Sequence, residues 1–389
     1  MAKLSHRDRL LRALNHQPPD RIPLDLGSHP NASIHIRAYE ELKSHLGIKS
    51  ESKMMHRWMQ VALVDEEILR FFDIDTRRLA LGKRDIPLEC NLEDETYIDQ
   101  WGVVRRKPPG ALYYEVIKSP LVGEISISDI VQYPWPDPHD GGVTRGLRER
   151  AQVLRQRTDF AVVVTVPAAF VHYTQFIRGF EDWYIDCVND VRLIETLFDA
   201  VLEINIASVQ EILHEIGDLV DVVVTADDLG DQRGTIVSPA LFRTLLKSRL
   251  KRYFDEIHRL TEAKLLFHTC GSVFDIVRDL IEIGVDVLNP IQVSAAKMNT
   301  ERLKTEVGAK LAFWGAIDTQ QVLSYGSVSD VEAEVKQRII DLAPGGGYVL
   351  SAVHNIQPGV PPENICEMFR AAQELGAFSD HNPIMKALA

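Results

Sequence analysis

The sequence alternates short apolar runs, rich in valine, leucine and isoleucine, with longer stretches of helical period. An apolar run without polar alternation is typical of a β-strand buried on both faces, and such strands form parallel sheets covered by helices. Six runs of this kind lie at 161–166, 219–226, 264–267, 285–290, 311–316 and 348–353. Helical period predicts helices over 5–15, 180–213, 239–263, 273–283, 298–307 and 328–342. The pattern predicts an α/β protein with a parallel sheet.

Two weaker strand candidates, 21–27 and 74–81, raise the number of predicted strands to eight. Eight strand–helix units favour a (β/α)8 TIM barrel over an open doubly wound sheet. The alternation breaks at about 85–139, a proline-rich region that we predict to be an irregular insertion of short strands and loops inside the barrel. We therefore predict a single barrel domain over 1–389, which begins with the helix at 5–15.

Composition limits the classes of partner. The 389 residues carry a formal net charge of −13 with no block of Lys and Arg, which argues against nucleic acid as a partner. No apolar run approaches the roughly 18 residues of a membrane span. The four cysteines are widely spaced, unlike those of a disulfide scaffold. We predict a cytoplasmic protein that binds no membrane, and the sequence does not decide between a monomer and a homo-oligomer.

Polar side chains follow almost every predicted strand, at the carboxyl end where barrel proteins place their active sites. These strand-end residues are Asp25, His172, Tyr173, Asp227, Asp228, His268, Cys270, Asn289, Gln292, Asp318, His354, Asn355 and Gln357. We expect them to face a common cavity.

His268 and Cys270 form an HxC motif, in which alternate residues of a strand end point into the same space. Imidazole and thiolate are zinc ligands, and donors from other strand ends, His354 with Asp227 or Asp228, favour an open catalytic site. Structural alternatives exist for each residue. Cys270 is also suited to apolar packing, His268 and His354 to plain hydrogen bonding, and the two aspartates to capping a helix.

Several segments resemble the uroporphyrinogen decarboxylase superfamily. They are DDLG with the following SP (227–230 and 238–239), FHTCGSV (267–273), LIEIGVDVLNPIQ (280–292), FWGAID (313–318) and GGGYVLSAVHNIQPGVPPENI (345–365). The opening RDRLLRALNHQPPDRIPLDLG (7–27) is similar too. The resemblance implies a (β/α)8 barrel and one of two activities: cofactor-free decarboxylation of uroporphyrinogen, or zinc-dependent methyl transfer with corrinoid proteins.

The decarboxylases carry an arginine-rich segment near the amino end that binds the substrate's carboxylates. At the matching place this chain has SHPNASIH, with no arginine until Arg37. The methyltransferases bind zinc with an HxC motif and a later cysteine; here His268 and Cys270 match, and His354 stands at the later position. His354 also matches a histidine of the decarboxylases. The resemblance is therefore closer to the methyltransferase branch.

We accordingly expect an O-demethylase type of methyltransferase, which moves a methyl group from a small methylated or methoxylated substrate to a corrinoid (cobalamin) protein. Zinc would be bound by His268, Cys270 and His354. The expected catalytic residues are Asp227, Asp228 and His354, and the expected substrate-binding residues are Asp25, His172, Tyr173, Asn289, Gln292 and Gln357. The alternatives are a cofactor-free decarboxylase of tetrapyrrole metabolism and a non-catalytic barrel that binds a corrinoid or small ligand.

Overall fold

The computed structural model describes residues 3–377, in which short strands alternate with helices. The strands are β1 (Lys53–His56), β2 (Val61–Leu63), β3 (Thr76–Leu79), β4 (Cys90–Asn91), β5 (Thr96–Ile98), β6 (Val104–Arg106), β7 (Glu115–Lys118), β8 (Ala161–Thr165), β9 (Val222–Ala226), β10 (Lys264–His268), β11 (Val287–Asn289), β12 (Ala312–Ile317) and β13 (Tyr348–Ala352). All six strong apolar runs of the sequence are strands of the central sheet.

Most of the helices pack around the outside of this sheet or connect its strands. They are α1 (His6–Leu14), α2 (Ile36–His45), α3 (Glu66–Phe71), α4 (Ile127–Val131), α5 (Gly141–Thr144), α6 (Leu147–Arg157), α7 (Val171–Arg178), α8 (Phe180–Asn189), α9 (Val191–Ile216), α10 (Pro239–Leu241), α11 (Lys247–Leu260), α12 (Val277–Glu282), α13 (Thr300–Val307), α14 (Val322–Tyr325), α15 (Val328–Leu342) and α16 (Pro362–Leu375). Within residues 3–377, no helix combines the length and the apolar character needed to cross a membrane.

The central sheet has seven parallel strands in the order β13-β12-β11-β10-β9-β8-β3. The segment around Leu24 lies between its two outer strands. The backbone N–H of Asp25 donates to the Leu350 carbonyl, and the N–H of Asp75 donates to the Leu24 carbonyl. Because Pro23 has no N–H to donate, the segment makes a single bridge to β13 instead of a full ladder. The predicted α/β barrel is confirmed, with 21–27 as its closing segment.

The barrel interior is filled by side chains from alternate strand positions, as parallel strands in a closed sheet require. The interior residues are Ala161, Val163, Val222, Val224, Leu266, Val287, Ala312, Trp314 and Val349, with Leu10 and Leu14 from α1. Each buried Val or Leu contributes about 1.5–3 kcal/mol. The predicted helix at 5–15 therefore belongs to the core.

One expectation changes in detail. The predicted helix 180–213 is two helices, α8 and α9, because Asp190 leaves the helical conformation and its side chain accepts from the Leu193 N–H. The short strands expected in the insertion are present and pair as a four-stranded antiparallel sheet, β4-β5-β6-β7. The single-domain organisation predicted for 1–389 stays a prediction.

Candidate active site

A cavity of about 400 Å³ opens at the carboxyl ends of β8, β9 and β10. Its polar lining includes four imidazoles and a carboxylate: His29, His172, His268, His354 and Asp228. Its aromatic and apolar lining includes Trp58, Met59, Tyr113, Tyr173 and Phe176. Among the described residues that line the cavity there is no lysine or arginine.

The three predicted metal-binding residues lie close together beside this cavity. One donor atom from each of His268, Cys270 and His354 lies within 4.8 Å of the others. The Sγ atom of Cys270 is 3.3 Å from Nε2 of His268. The chain turns sharply after Cys270 at Gly271, whose φ is +81° and where a Cβ atom would lie 2.4 Å from the backbone of Gly230. Only glycine fits this turn.

The His268 ring is oriented by a chain of hydrogen bonds. Its Nδ1 lies 2.6 Å from Oδ1 of Asn289, and Nδ2 of Asn289 donates to the carbonyl of Trp314 at 3.0 Å. Since the Trp314 contact fixes the amide orientation of Asn289, Nδ1 of His268 carries the proton. The lone pair of Nε2 then faces Cys270, the tautomer that a metal ligand requires. Burial lowers the pKa of His268 to about 4, which keeps the imidazole neutral.

Asp228 is next to the same three side chains. It accepts the Cys270 N–H at 3.0 Å, and its oxygens are 3.8 Å from Nδ1 of His172 and 4.0 Å from Nε2 of His268. Burial acts to raise the pKa of Asp228, but the neighbouring imidazoles of His172 and His268 leave it below its usual value. The carboxylate is therefore ionised beside the candidate metal ligands.

The thiol of Cys270 is protonated when no cation is near it. Burial and the adjacent Asp228 raise its pKa well above the usual value. Zinc binds the thiolate, so metal binding at this site has to release a proton.

Asp227 lies outside the cavity, underneath the first turn of α7. It is fully buried and accepts the backbone N–H groups of Phe170, Val171 and His172 at 2.8–3.1 Å. Burial raises the pKa of Asp227 to about 7. The structure therefore shows a capping contact for this residue, and the catalytic role expected for it stays a prediction.

Asp25 also lies away from the cavity lining, in the barrel interior. Its carboxylate accepts from Oγ1 of Thr76 at 2.5 Å, Oγ of Ser28 at 2.8 Å and Nε1 of Trp314 at 3.0 Å. Burial raises its pKa from the ordinary value of 3.8 to about 6.

The other expected substrate-binding residues divide into two groups. His172 and Tyr173 line the cavity directly. Asn289, Gln292 and Gln357 contact residues of the site: Asn289 contacts His268, Gln292 accepts the Gly271 N–H at 2.8 Å, and Gln357 accepts from the Tyr113 hydroxyl.

His29 and His56 also line the cavity, and neither was predicted from the sequence. His29 is fully buried, and neither of its ring nitrogens has a hydrogen-bond partner. Burial, with the nearby imidazoles of His268 and His354, lowers its pKa well below the usual value. The missed signal was the polar SHPN stretch that directly follows the first predicted strand. His56 lies in the β1–β2 hairpin, which no sequence motif predicted.

The fold and the cavity together define a parallel α/β barrel whose polar side chains meet at the carboxyl ends of the strands. The chain belongs to the uroporphyrinogen decarboxylase (URO-D) family, whose sequence profile matches residues 112–375. The family resemblance found in the sequence is confirmed.

Individual relatives are distant. A protein named uroporphyrinogen decarboxylase from Alkalilimnicola ehrlichii is 25% identical over 379 residues, which are 95% of this chain and 94% of that protein. Another of the same name, from Thioalkalivibrio sulfidiphilus, is 28% identical over 79 residues, 20% of this chain and 22% of that protein. A solved structure of a methyltransferase from Methanosarcina mazei has a TM-score of 0.67 at 19% identity, covering 96% of this chain and 99% of that one. That last likeness concerns the fold.

Proposed function

We propose that this protein is a zinc-dependent methyltransferase that passes a methyl group from a small methylated substrate to a corrinoid protein. The observation that carries the proposal is the meeting of His268, Cys270 and His354, with donor atoms within 4.8 Å of one another at the edge of a cavity. Two imidazoles and a thiol are a donor set that suits zinc. Three protein ligands leave a position open for substrate, as in catalytic zinc sites.

The surrounding residues fit this use. Asn289 holds His268 in the tautomer that presents a lone pair, and Asp228 keeps a negative charge beside the ligands. When bound, zinc supplies a Lewis acid that stabilises negative charge on the substrate heteroatom. The bond between that heteroatom and the methyl carbon breaks, and the heteroatom keeps the electron pair. The methyl carbon bonds to the cobalt of the reduced corrinoid substrate, which supplies the pair for the new bond.

The second candidate is cofactor-free decarboxylation of uroporphyrinogen, which the names of the relatives favour. The cavity argues against it. A substrate with eight carboxylates needs cations, and the described cavity lining offers neutral imidazoles and one carboxylate. The Methanosarcina mazei protein, a methyltransferase with this fold, is consistent with the first candidate.

The test is methyl transfer by zinc-loaded protein. With reduced cobalamin and a panel of methoxylated one-ring compounds, the wild type is expected to form methylcobalamin, followed by absorbance. Cys270→Ala is expected to form none, whereas Cys366→Ala, a cysteine of α16 remote from the cavity, keeps the wild-type rate. Turnover of uroporphyrinogen by metal-free protein, with no methyl transfer from the panel, would contradict the proposal.

A further inference from the structure

His29 is a buried imidazole that the hydrogen bonds of the described protein leave without a partner. It is 0% exposed, and both Nδ1 and Nε2 are unpaired. An unpaired buried polar group destabilises a fold, so a ligand or a water is expected beside such a group. His29 follows the closing segment of the barrel and lines the same cavity as His268 and His354.

His29 stands apart from the candidate metal ligands. Only His268, Cys270 and His354 have donor atoms within the 4.8 Å group among the described residues. A second unpaired polar atom, Oγ1 of Thr165 at the end of β8, is buried in the lining of the same cavity. Two residues of the cavity lining thus carry polar atoms that no described residue satisfies.

The cavity also selects against charge on a ligand. Its lining holds no lysine or arginine for an anion. Asp228 attracts a cation to the metal position, but a cation packed against Trp58 and Phe176 would be repelled by the guanidinium of Arg105, which is 4.2 Å and 4.6 Å from the centres of these rings. An uncharged ring that packs against Trp58, Phe176 and Tyr113 meets neither obstacle.

We propose that His29 is a substrate-binding residue that donates its N–H to an oxygen of an uncharged, one-ring aromatic ligand held against Trp58 and Phe176. The inference deepens the proposed methyltransferase function by naming the ligand class of the same cavity. As a binding role it does not depend on methyl transfer.

The test is calorimetric binding of three matched one-ring probes: 2-methoxyphenol, which is uncharged, benzoate and phenyltrimethylammonium. Wild-type protein is expected to bind 2-methoxyphenol most tightly. His29→Leu should bind it about tenfold more weakly because the ligand oxygen loses its donor. His29→Gln, which keeps an N–H donor, should recover most of the affinity.

Two controls separate binding from folding and from metal ligation. His29→Leu should melt at or above the wild-type temperature, because it removes an unpaired polar group. His35→Leu should melt lower, because His35 contacts the Leu112 carbonyl and the Arg37 N–H. Zinc content of His29→Leu should equal that of the wild type.

Unchanged affinity for 2-methoxyphenol in His29→Leu would overturn the inference, as would tighter binding of either charged probe. Loss of zinc from His29→Leu would also overturn it, by making His29 a metal ligand. If Cys270→Ala kept its zinc while the His29 results held, the proposed function would fail and the ligand contact would stand.

Discussion

At the scale of single residues, the metal-binding tautomer of His268 depends on Asn289. Asn289 is fully buried, and its two amide atoms connect His268 to the carbonyl of Trp314. A residue that fixes a ligand ring in this way commonly affects metal affinity by 10–100-fold, as a rough scale. The hydrogen bond to Nδ1 therefore matters for zinc although Asn289 has no donor atom in the cluster.

We predict that Asn289→Ala weakens zinc binding by about 10–100-fold, because the His268 ring loses its orientation. Competition with a chromophoric chelator measures the affinity. Asn364→Ala is the matched control, since Asn364 is a buried amide that donates to the carbonyls of Leu323 and Gly326. Equal zinc affinity in the wild type and Asn289→Ala would contradict this role.

Asp25 makes the stability of the protein depend on pH. Because its pKa is raised from 3.8 to about 6, the folded state holds the proton more tightly than the unfolded state. Its contribution to stability is therefore present below pH 3.8 and is lost as the pH rises to about 6.

We predict that Asp25→Asn removes this dependence. Relative to the wild type, the variant should gain about 2–3 kcal/mol in free energy of unfolding between pH 4 and pH 7. Urea unfolding of both proteins across this range measures the difference. A difference that stays constant with pH would show that Asp25 does not titrate in the folded protein.

The strand-end rule predicted part of the candidate site from the sequence. His268 and Cys270 are spaced to face one space, and the end of β13 brings His354 to them. The rule could not separate Asp227 from Asp228, because neighbouring residues at a strand end point in different directions. In the structure the carboxylate of Asp227 faces the beginning of α7, whereas Asp228 lines the cavity. His29 was missed because the sequence does not show whether the ring nitrogens of a loop histidine have hydrogen-bond partners.

At the scale of elements, Asp227 joins the end of β9 to the beginning of α7. It accepts three N–H groups of the helix's first turn, which have no partner within the helix itself. The same helix carries His172 and Tyr173 into the cavity. One side chain thus positions a wall of the site.

We predict that Asp227→Ala lowers the free energy of unfolding by about 1–3 kcal/mol, since buried N–H groups lose their acceptor. Asp228→Ala is the matched neighbour. Its side chain is 34% exposed and accepts one backbone N–H, so the loss should be smaller. Chemical denaturation followed by circular dichroism compares them. A larger loss in Asp228→Ala would reverse these assignments.

The strands were more predictable than the connections. An apolar run buried on both faces leaves a strong signal, and all six such runs are strands of the sheet. The break between α8 and α9 is not marked by a glycine or a proline in the sequence. A single aspartate, Asp190, ends the first helix and caps the second. The antiparallel sheet of the insertion pairs strands of only two to four residues, too short for a clear period.

At the scale of the whole molecule, closure of the barrel depends on a buried ion network below the cavity. Asp75 is fully buried and accepts from Arg9, Arg21 and the backbone N–H of Leu24, each at 2.7 Å. These contacts tie α1, the closing segment and β3 together. The charges are paired on every side, which buried ions require.

We predict that Asp75→Ala destabilises the protein by about 3–5 kcal/mol, because two buried guanidinium groups lose a shared carboxylate. Asp218→Ala, which removes an exposed pair with Arg148, should change stability by less than about 1 kcal/mol. Thermal and urea unfolding measure both. Wild-type stability in Asp75→Ala would show that the closing segment is held by its apolar contacts alone.

The proposed function depends on a zinc site built from His268, Cys270 and His354. Its most direct test is metal analysis by mass spectrometry on protein purified without chelator or nickel affinity resin. We predict about one zinc per chain in the wild type and in Cys366→Ala, and a loss of that zinc in Cys270→Ala. Full zinc in Cys270→Ala, or none in the wild type after reconstitution under reducing conditions, would contradict the account.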